Sequence, residues 1–212
     1  MSPGTGVYLL VAGPDGAGKS SLVRHLVELG RQEFPVVRAL HWRPNVLPSL
    51  GRVTGLRSPD PARPHGRPPY GPLVSLLRLA YYWLDQAVGF WLVVAPQRRR
   101  GGLVVMERGY WDMLVDPVRY RLGCPLWIVR LLGFLVPRPD LTVVLGGDAN
   151  LIAARKDELS ADETARQLAR WRRFSPQGHL LLIDASLGER EVLDRVVCGL
   201  HATVRSRKCA DG

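Results

Sequence analysis

Val7-Tyr8-Leu9-Leu10-Val11-Ala12-Gly13-Pro14-Asp15-Gly16-Ala17-Gly18-Lys19-Ser20 decides the reading of this chain. Six apolar residues run directly into Gly-x-x-x-x-Gly-Lys-Ser, and Leu22, Val23, Leu26, Val27 and Leu29 then recur at helical spacing. A strand, a glycine-rich turn and a helix in that order wrap backbone N–H groups around a phosphate and aim the positive end of a helix dipole at it. Lys19 is expected at the β- and γ-phosphates and the Ser20 hydroxyl on Mg²⁺. Gly13, Asp15, Gly16, Ala17, Gly18 and Ser21 complete the expected triphosphate site. An ordinary Gly-rich strand-to-helix turn is the competing reading, and the strand before and helix after weigh against it.

Working outward, residues 36–40, 103–106, 141–145 and 180–183 are further short apolar runs alternating with helical patterns. Five such runs predict an α/β fold: a three-layer sandwich whose five-stranded parallel sheet carries helices on both faces. Gly30 is placed to end the first helix. Residues 1–206 read as one domain and 207–212 as a flexible tail. Eight prolines between Pro44 and Pro72 predict a long irregular loop on the acceptor side. Ser160 and Glu163 predict a capping box opening a helix within a lid of about residues 149–174.

Residues 73–96 are apolar enough to suggest a membrane span. About nine strongly apolar side chains gain roughly 4 kcal/mol, whereas Arg78 and Asp85 each cost roughly 2.5–3.5 near a bilayer centre. The sum opposes insertion. Leu73, Leu76, Leu77, Ala80, Tyr81, Leu84, Val88, Trp91, Leu92 and Ala95 share one stripe, with Ser75, Arg78, Tyr82, Asp85 and Gln86 elsewhere. The expectation is a long helix packed by its apolar stripe on the sheet, contact with a membrane surface being the minority reading.

The formal charge is +10, and only Lys19, Lys156 and Lys208 among the 29 cations are lysine. Polyanions, acidic membranes and nucleotides all suit such a balance, so charge alone selects none. The arginines are spread along the chain, and no nucleic-acid partner is expected. Three widely spaced cysteines, Cys124, Cys198 and Cys209, indicate neither a disulfide framework nor a zinc site and point to a reducing compartment. With no signal-peptide pattern at the N-terminus, the expected location is the cytoplasm.

Strand carboxyl ends are where an open α/β sheet binds ligands. Glu107 directly follows a strand, where an acidic group holds Mg²⁺ or accepts a hydroxyl proton. Arg108 beside it is a planar donor that clamps an acceptor phosphate or, equally, pairs with Glu107 or Asp112. Trp42, Tyr110 and Trp111 read either as stacking surfaces for a flat substrate or as packing anchors. Asp112, Asp116, Arg119, Tyr120 and Arg121 form a dense polar stretch suited to a hydroxylated substrate. Arg155 and Lys156, with Arg166, Arg170 and Arg173, form a cationic element able to close over a triphosphate, or a solvated salt-bridged face.

Gly13-Pro-Asp-Gly-Ala-Gly-Lys-Ser-Ser21, Trp42-Arg43-Pro44, Glu107-Arg108-Gly109-Tyr110 and Arg155, in that order, resemble the motifs of the thymidylate kinase family of P-loop kinases. His41-Trp-Arg-Pro44, Leu114-Val-Asp-Pro-Val-Arg-Tyr-Arg121, Pro137-Arg-Pro-Asp140 and Ala154-Arg-Lys-Asp-Glu-Leu159 are similar to a divergent subgroup often encoded with bacterial surface-polysaccharide genes. The resemblance implies a P-loop NTPase fold, a homodimer, Asp15 against a substrate hydroxyl, Arg43 and Arg108 on the acceptor, and Arg155 acting from the lid. Two positions depart: Glu107 stands where the family has Asp, and Gly146-Gly147 where an Asp follows the fourth strand. The expected function is ATP- and Mg²⁺-dependent transfer of the γ-phosphoryl group to a small-molecule acceptor, a nucleoside monophosphate or a sugar-like compound. The alternative is a nucleotide-dependent switch or assembly ATPase at a membrane or on nucleic acid; no Asn-Lys-x-Asp guanine-reading motif is present.

Overall fold

The structure, a computed structural model, describes residues 6–48, 68–154, 160–173 and 179–211. Five strands, β1 (Val7–Ala12), β2 (Val37–His41), β3 (Leu103–Glu107), β4 (Leu141–Gly146) and β5 (His179–Asp184), form one parallel sheet in the order β2-β3-β1-β4-β5. Helix α1 (Lys19–Glu33) follows β1, and α2 (Pro72–Gly89) continues through a π-helical turn (Phe90–Val94) into α3 (Ala95–Arg99). Short α4 (Asp112–Val115) and α5 (Leu126–Gly133) lie between β3 and β4; α6 (Ala149–Ala154) and α7 (Ala161–Arg173) lie between β4 and β5; α8 (Glu189–Asp211) closes the chain. Helix α8 runs on as helix to Asp211, through most of the segment expected as a tail.

Strand β1 sits at the centre with every residue buried. Its alternate side chains feed two cores. Tyr8, Leu10 and Ala12 pack with Leu79, Tyr110, Leu114 and Val129 from α2, α4 and α5 and the turn before α4, while Val7, Leu9 and Val11 pack with Leu22, Leu26, Val196 and Leu200 from α1 and α8. A strand covered on both faces must be apolar throughout, which is why its sequence is a continuous run and not an alternation. The expected three-layer α/β sandwich is therefore the observed one. Helix α1 passes through Gly30 instead of ending there: a Cβ at that position would lie 2.8 Å from Leu103 Cδ2, so the glycine allows the helix to lie close on β3.

Helix α2 corrects a second expectation. Its apolar stripe does not face the sheet: Leu73, Leu77, Leu84, Trp91 and Leu92 are exposed, at 72%, 66%, 43%, 60% and 62%, while Ser75, Arg78, Asp85 and Gln86 are buried. The buried polar groups have specific work. Asp85 accepts the N–H groups of Asn45 and Leu47 at 3.2 and 2.6 Å, and Gln86 Nε2 donates to the Trp42 carbonyl at 2.6 Å. Ser75 Oγ donates to the Tyr70 carbonyl and accepts Gly123 N–H, at 3.0 and 2.8 Å. The interior next to this helix is irregular backbone, whose buried N–H and C=O groups must be paired, so the polar face turns inward. Asp85→Ala is expected to cost about 3–5 kcal/mol by leaving Arg43 and two N–H groups unpaired. Leu77→Ala on the exposed face should change the isolated chain by no more than about 0.5 kcal/mol; urea unfolding of the two variants checks the contrast.

Candidate active site

The glycine loop joins the carboxyl end of β1 to α1. Gly13 has φ +136°, and a Cβ there would meet the Leu145 carbonyl oxygen at 2.4 Å, so only glycine lets the loop cross the end of β4. Gly18 caps α1 in the left-handed region at φ 87°, and Lys19 is the first helical residue. Lys19 folds back to donate to the Pro14 carbonyl at 2.6 Å and lies 3.7 Å from Asp15. Ala17, Gly18 and Ser21 also line a cavity of about 220 Å³ that continues to Ala185, Leu187 and Val192 at the β5–α8 turn.

Ser20 and Glu107 meet across the loop. The Ser20 hydroxyl donates to Glu107 Oε1 at 3.0 Å, and Glu107 Oε2 lies 3.6 Å from His41 Nδ1. Two hard oxygens at this spacing fit Mg²⁺, whose neighbouring octahedral ligands at about 2.1 Å from the ion stand about 3.0 Å apart. Among the described residues no group of three His, Cys, Asp or Glu is positioned to hold a metal. An ion here would complete its shell with water and phosphate oxygens, the usual arrangement for Mg²⁺ at nucleotides. Burial works to raise the Glu107 pKa, but the His41 and Ser20 contacts outweigh it and hold the carboxyl below its ordinary value.

Asp15 is the electrostatic centre. Arg108 and Arg119 both hydrogen-bond its carboxylate, one on each oxygen, and all of these groups except Arg119 are at most 8% exposed. Burial alone would raise the Asp15 pKa; Arg108, Lys19 and Arg119 outweigh it and hold the carboxyl far below the usual carboxylate range. Lys19 is pushed down to about 8, by burial first and Arg108 second, against Asp15, Asp112 and Glu107. Asp112 moves the other way: burial lifts it to about 6 despite Arg108 and the Gly109 N–H it accepts at 2.7 Å. The site thus balances its cations internally.

The chain turns sharply to bring these groups together. Among the described residues the non-glycine residues with positive φ are Trp42, Asn45, Arg108 and Arg121, at 63°, 58°, 64° and 55°, and Trp42 and Arg108 directly follow the carboxyl ends of β2 and β3. Such conformations persist only where surrounding contacts impose them, and they gather at functional sites. Arg108 is fixed by its N–H to the Val11 carbonyl at 2.9 Å, and Trp42 by its N–H to the Glu107 carbonyl at 2.7 Å. Arg43 is buried, 3.5 Å from Asp85, with its guanidinium 5.4 Å from the Trp42 ring and 6.0 Å from that of Tyr82. Trp42 stacks on Tyr120, ring centroids 5.1 Å apart.

Sequence reading and structure differ at several positions. Tyr110 is not a substrate platform: its ring is 2% exposed, packed on Trp111, and its hydroxyl donates to the Val129 carbonyl at 2.7 Å. Trp111 is buried beside it, against Gly133. Arg121 lies away from the Asp15 cluster and ties down the end of the proline-rich segment, its guanidinium 3.7 Å from the Tyr70 ring centroid and Nη1 donating to the Tyr70 hydroxyl at 2.6 Å. Asp116 accepts the Arg119 N–H at 3.1 Å and shapes that turn. Arg170 donates to the Val115 carbonyl at 2.6 Å and Arg166 pairs with Glu163 at 3.3 Å, the salt-bridged alternative for α7. Ser160 does cap Glu163 N–H, at 3.2 Å. Arg155, Lys156 and the proline-rich loop over 49–67 lie outside the described residues. Sequence reasoning missed Asp85, Gln86 and Arg78. Their signal was present, since 75, 78, 82, 85 and 86 form a polar helical stripe of their own.

Sheet order, central glycine loop and flanking helices define a P-loop kinase fold. The chain is similar to the crystal structure of thymidylate kinase from Ehrlichia chaffeensis, with a TM-score of 0.59 over 92% of this chain and 99% of that one, at 17% identity. At that identity the likeness is one of fold. No protein-family model and no curated protein sequence matches the chain.

Proposed function

We propose that the chain is an ATP- and Mg²⁺-dependent phosphotransferase of the nucleoside monophosphate kinase type, acting on a nucleoside monophosphate or a sugar-like acceptor. One observation carries the reading: Lys19, Ser20 and Glu107 stand at the phosphate loop while Arg108 and Arg119 converge on Asp15 at its mouth. Triphosphate chemistry and acceptor clamping would then share one edge of the sheet. In the transfer, a phosphate oxygen of the acceptor, or a hydroxyl oxygen that gives its proton to solvent, bonds to the γ-phosphorus as the bond to the bridging oxygen of ADP breaks. Lys19 neutralises charge on the transferring group, and the backbone N–H groups of 13–19 hold the β-phosphate. Ser20 and Glu107 would hold Mg²⁺, which would supply charge neutralisation when bound. Arg108 and Arg119 orient the acceptor, whose anionic or hydroxyl groups replace or share the contacts now made by Asp15, and Arg43, held at Asp85, adds positive charge on the acceptor side. The cavity at 17–22 and 185–192 suits the nucleoside portion of ATP. Against the switch or assembly alternative stands the buried arginine cluster, which a simple nucleotide hydrolase does not need.

A Lys19 pKa near 8 in the free protein gives a binding signature. Phosphates favour the charged ammonium and raise that pKa, so ATP binding at pH 8.5–9 is expected to take up a fraction of a proton and at pH 6.5 to take up none at this residue. Calorimetry in buffers of different ionisation enthalpy measures it, and Lys19→Met removes it. Acceptor-dependent ADP formation across a panel of nucleoside monophosphates and sugars tests the reading as a whole; a panel in which nothing accelerates turnover contradicts it.

A further inference from the structure

The polar interior beside α2 reaches beyond the backbone it anchors. Trp42 Nε1, Arg78 Nε and Tyr120 Oη are shielded from solvent and have no hydrogen-bond partner. They come from the end of β2, from α2 and from the turn before α5, yet they share one neighbourhood. The Trp42 ring stacks on Tyr120 with centroids 5.1 Å apart and meets Tyr82 edge-on at 4.8 Å. The Arg78 guanidinium lies 5.3 Å from the Tyr82 ring, and its Nη2 donates to the Tyr82 hydroxyl at 2.6 Å. Tyr120 in turn interacts electrostatically with Asp112, Arg108 and Arg119, which joins this neighbourhood to the Asp15 cluster.

Buried polar atoms are nearly always paired, because one left unpaired has given up its bond to water for nothing. Unpaired atoms side by side at the carboxyl edge of the sheet therefore describe what fits between them. Trp42 Nε1 and Arg78 Nε donate and cannot accept, and Tyr120 carries a hydroxyl, so the match is a ligand rich in oxygen atoms. Arg108 and Arg119 each hold one oxygen of the Asp15 carboxylate, a pair set for an anion with two oxygens to offer, such as a phosphate.

The rings of this region are already engaged. Trp42 also has the Arg43 guanidinium 5.4 Å from its centroid, and Tyr70 has those of Arg78 at 4.8 Å and Arg121 at 3.7 Å. Tyr81 sits edge-on to Tyr82, and Tyr110 and Trp111 are buried against each other. Among the described residues the exposed rings are Trp91, Trp127 and Phe134, on the outer side of α2 and α5. Residues 49–67 hold no Phe, Tyr or Trp. A nucleobase gains much of its binding from stacking on an open ring, and this side of the molecule offers it none.

Within the phosphotransferase reading, on which this rests, we propose that the acceptor is a sugar phosphate and not a nucleoside monophosphate. Its phosphate exchanges with Asp15 at Arg108 and Arg119, and its hydroxyl oxygens take the hydrogen bonds left open at Trp42, Arg78 and Tyr120. ATP and this acceptor give ADP and a sugar diphosphate. A phosphate oxygen of the sugar bonds to the γ-phosphorus as the bond to the bridging oxygen breaks, with no proton to relocate.

Initial rates with γ-³³P ATP and Mg²⁺, using glucose phosphates and ribose phosphate beside the common nucleoside monophosphates, decide the matter. At least one sugar phosphate is expected to exceed every nucleoside monophosphate in kcat/KM by about 100-fold or more. Tyr120→Phe and Trp42→Phe keep a ring and remove the polar atom. Each is expected to raise the KM for the sugar phosphate about tenfold, with the KM for ATP and the thermal midpoint at wild-type values. Preferential labelling of a nucleoside monophosphate would overturn the inference and leave the phosphotransferase reading standing. So would a sugar phosphate KM indifferent to both substitutions. No label on any acceptor would overturn both.

Discussion

Replacing Lys19 by Met is expected to lower phosphoryl transfer about 10³-fold or more while leaving the free protein at least as stable as the wild type. The first half follows from charge under the proposed function: this ammonium would meet the γ-phosphate, and preorganised groups of this kind in a water-poor site contribute on that scale. The second half follows from its environment. Lys19 is 5% exposed and faces Arg108, and its depressed pKa means that folding disfavours the charged form. Removing a cation that the fold holds at a cost relieves that cost, the familiar opposition between activity and stability at a site. Initial rates with ATP and acceptor, set beside urea unfolding at pH 7, measure both halves. Lost activity with a collapsed unfolding midpoint would show Lys19 acting as a structural residue.

Asp15→Ala is expected to destabilise the protein by about 3–5 kcal/mol at pH 7, the usual cost of removing one partner from a buried ionic cluster. Arg108 and Lys19 would stay buried with their shared counter-ion gone. The pH dependence has a definite sign. The folded-state pKa of Asp15 is depressed, so its contribution is complete above the unfolded value of about 3.9, declines below it, and is fully lost only as pH falls through the folded-state value. The advantage of the wild type over Asp15→Ala should therefore begin to shrink below about pH 4 and keep shrinking as pH falls toward the depressed folded-state value. Unfolding curves at pH 7 and pH 3.5 test this, and an equal difference at both would refute the ionic account. Asp112 acts in the opposite sense: its raised pKa makes its ionisation unfavourable in the fold, so its own contribution weakens as pH rises from about 4 to 6.

The fold was legible because both faces of the central strands are buried. Val7–Ala12, Leu103–Glu107 and Leu141–Gly146 had to be apolar at nearly every position, and the glycine loop fixed which strand comes first. Helix α2 was legible as a helix and misread as a surface. Periodicity gives two faces without saying which one meets the sheet, and the choice was made by non-local bonds from Asp85, Gln86 and Ser75 to irregular backbone near 42–47, 70 and 123. The pairing of Ser20 with Glu107 was readable from strand ends and loop position. The convergence of Arg108 and Arg119 on Asp15 was not, since it spans 93 and 104 residues and needs the strained turn at Arg108. Tyr110 was misplaced for a related reason: a ring in a loop sequence looks available until the loop folds under α5.

The central claim is that this chain moves the γ-phosphoryl group of ATP to a small acceptor. The most direct measurement follows the label from γ-³³P ATP in the presence of Mg²⁺ and a panel of nucleoside monophosphates and sugars. The account predicts label on one acceptor class, dependent on Lys19 and abolished in Arg108→Ala. Label released only as inorganic phosphate, at one rate with and without every acceptor, would contradict it.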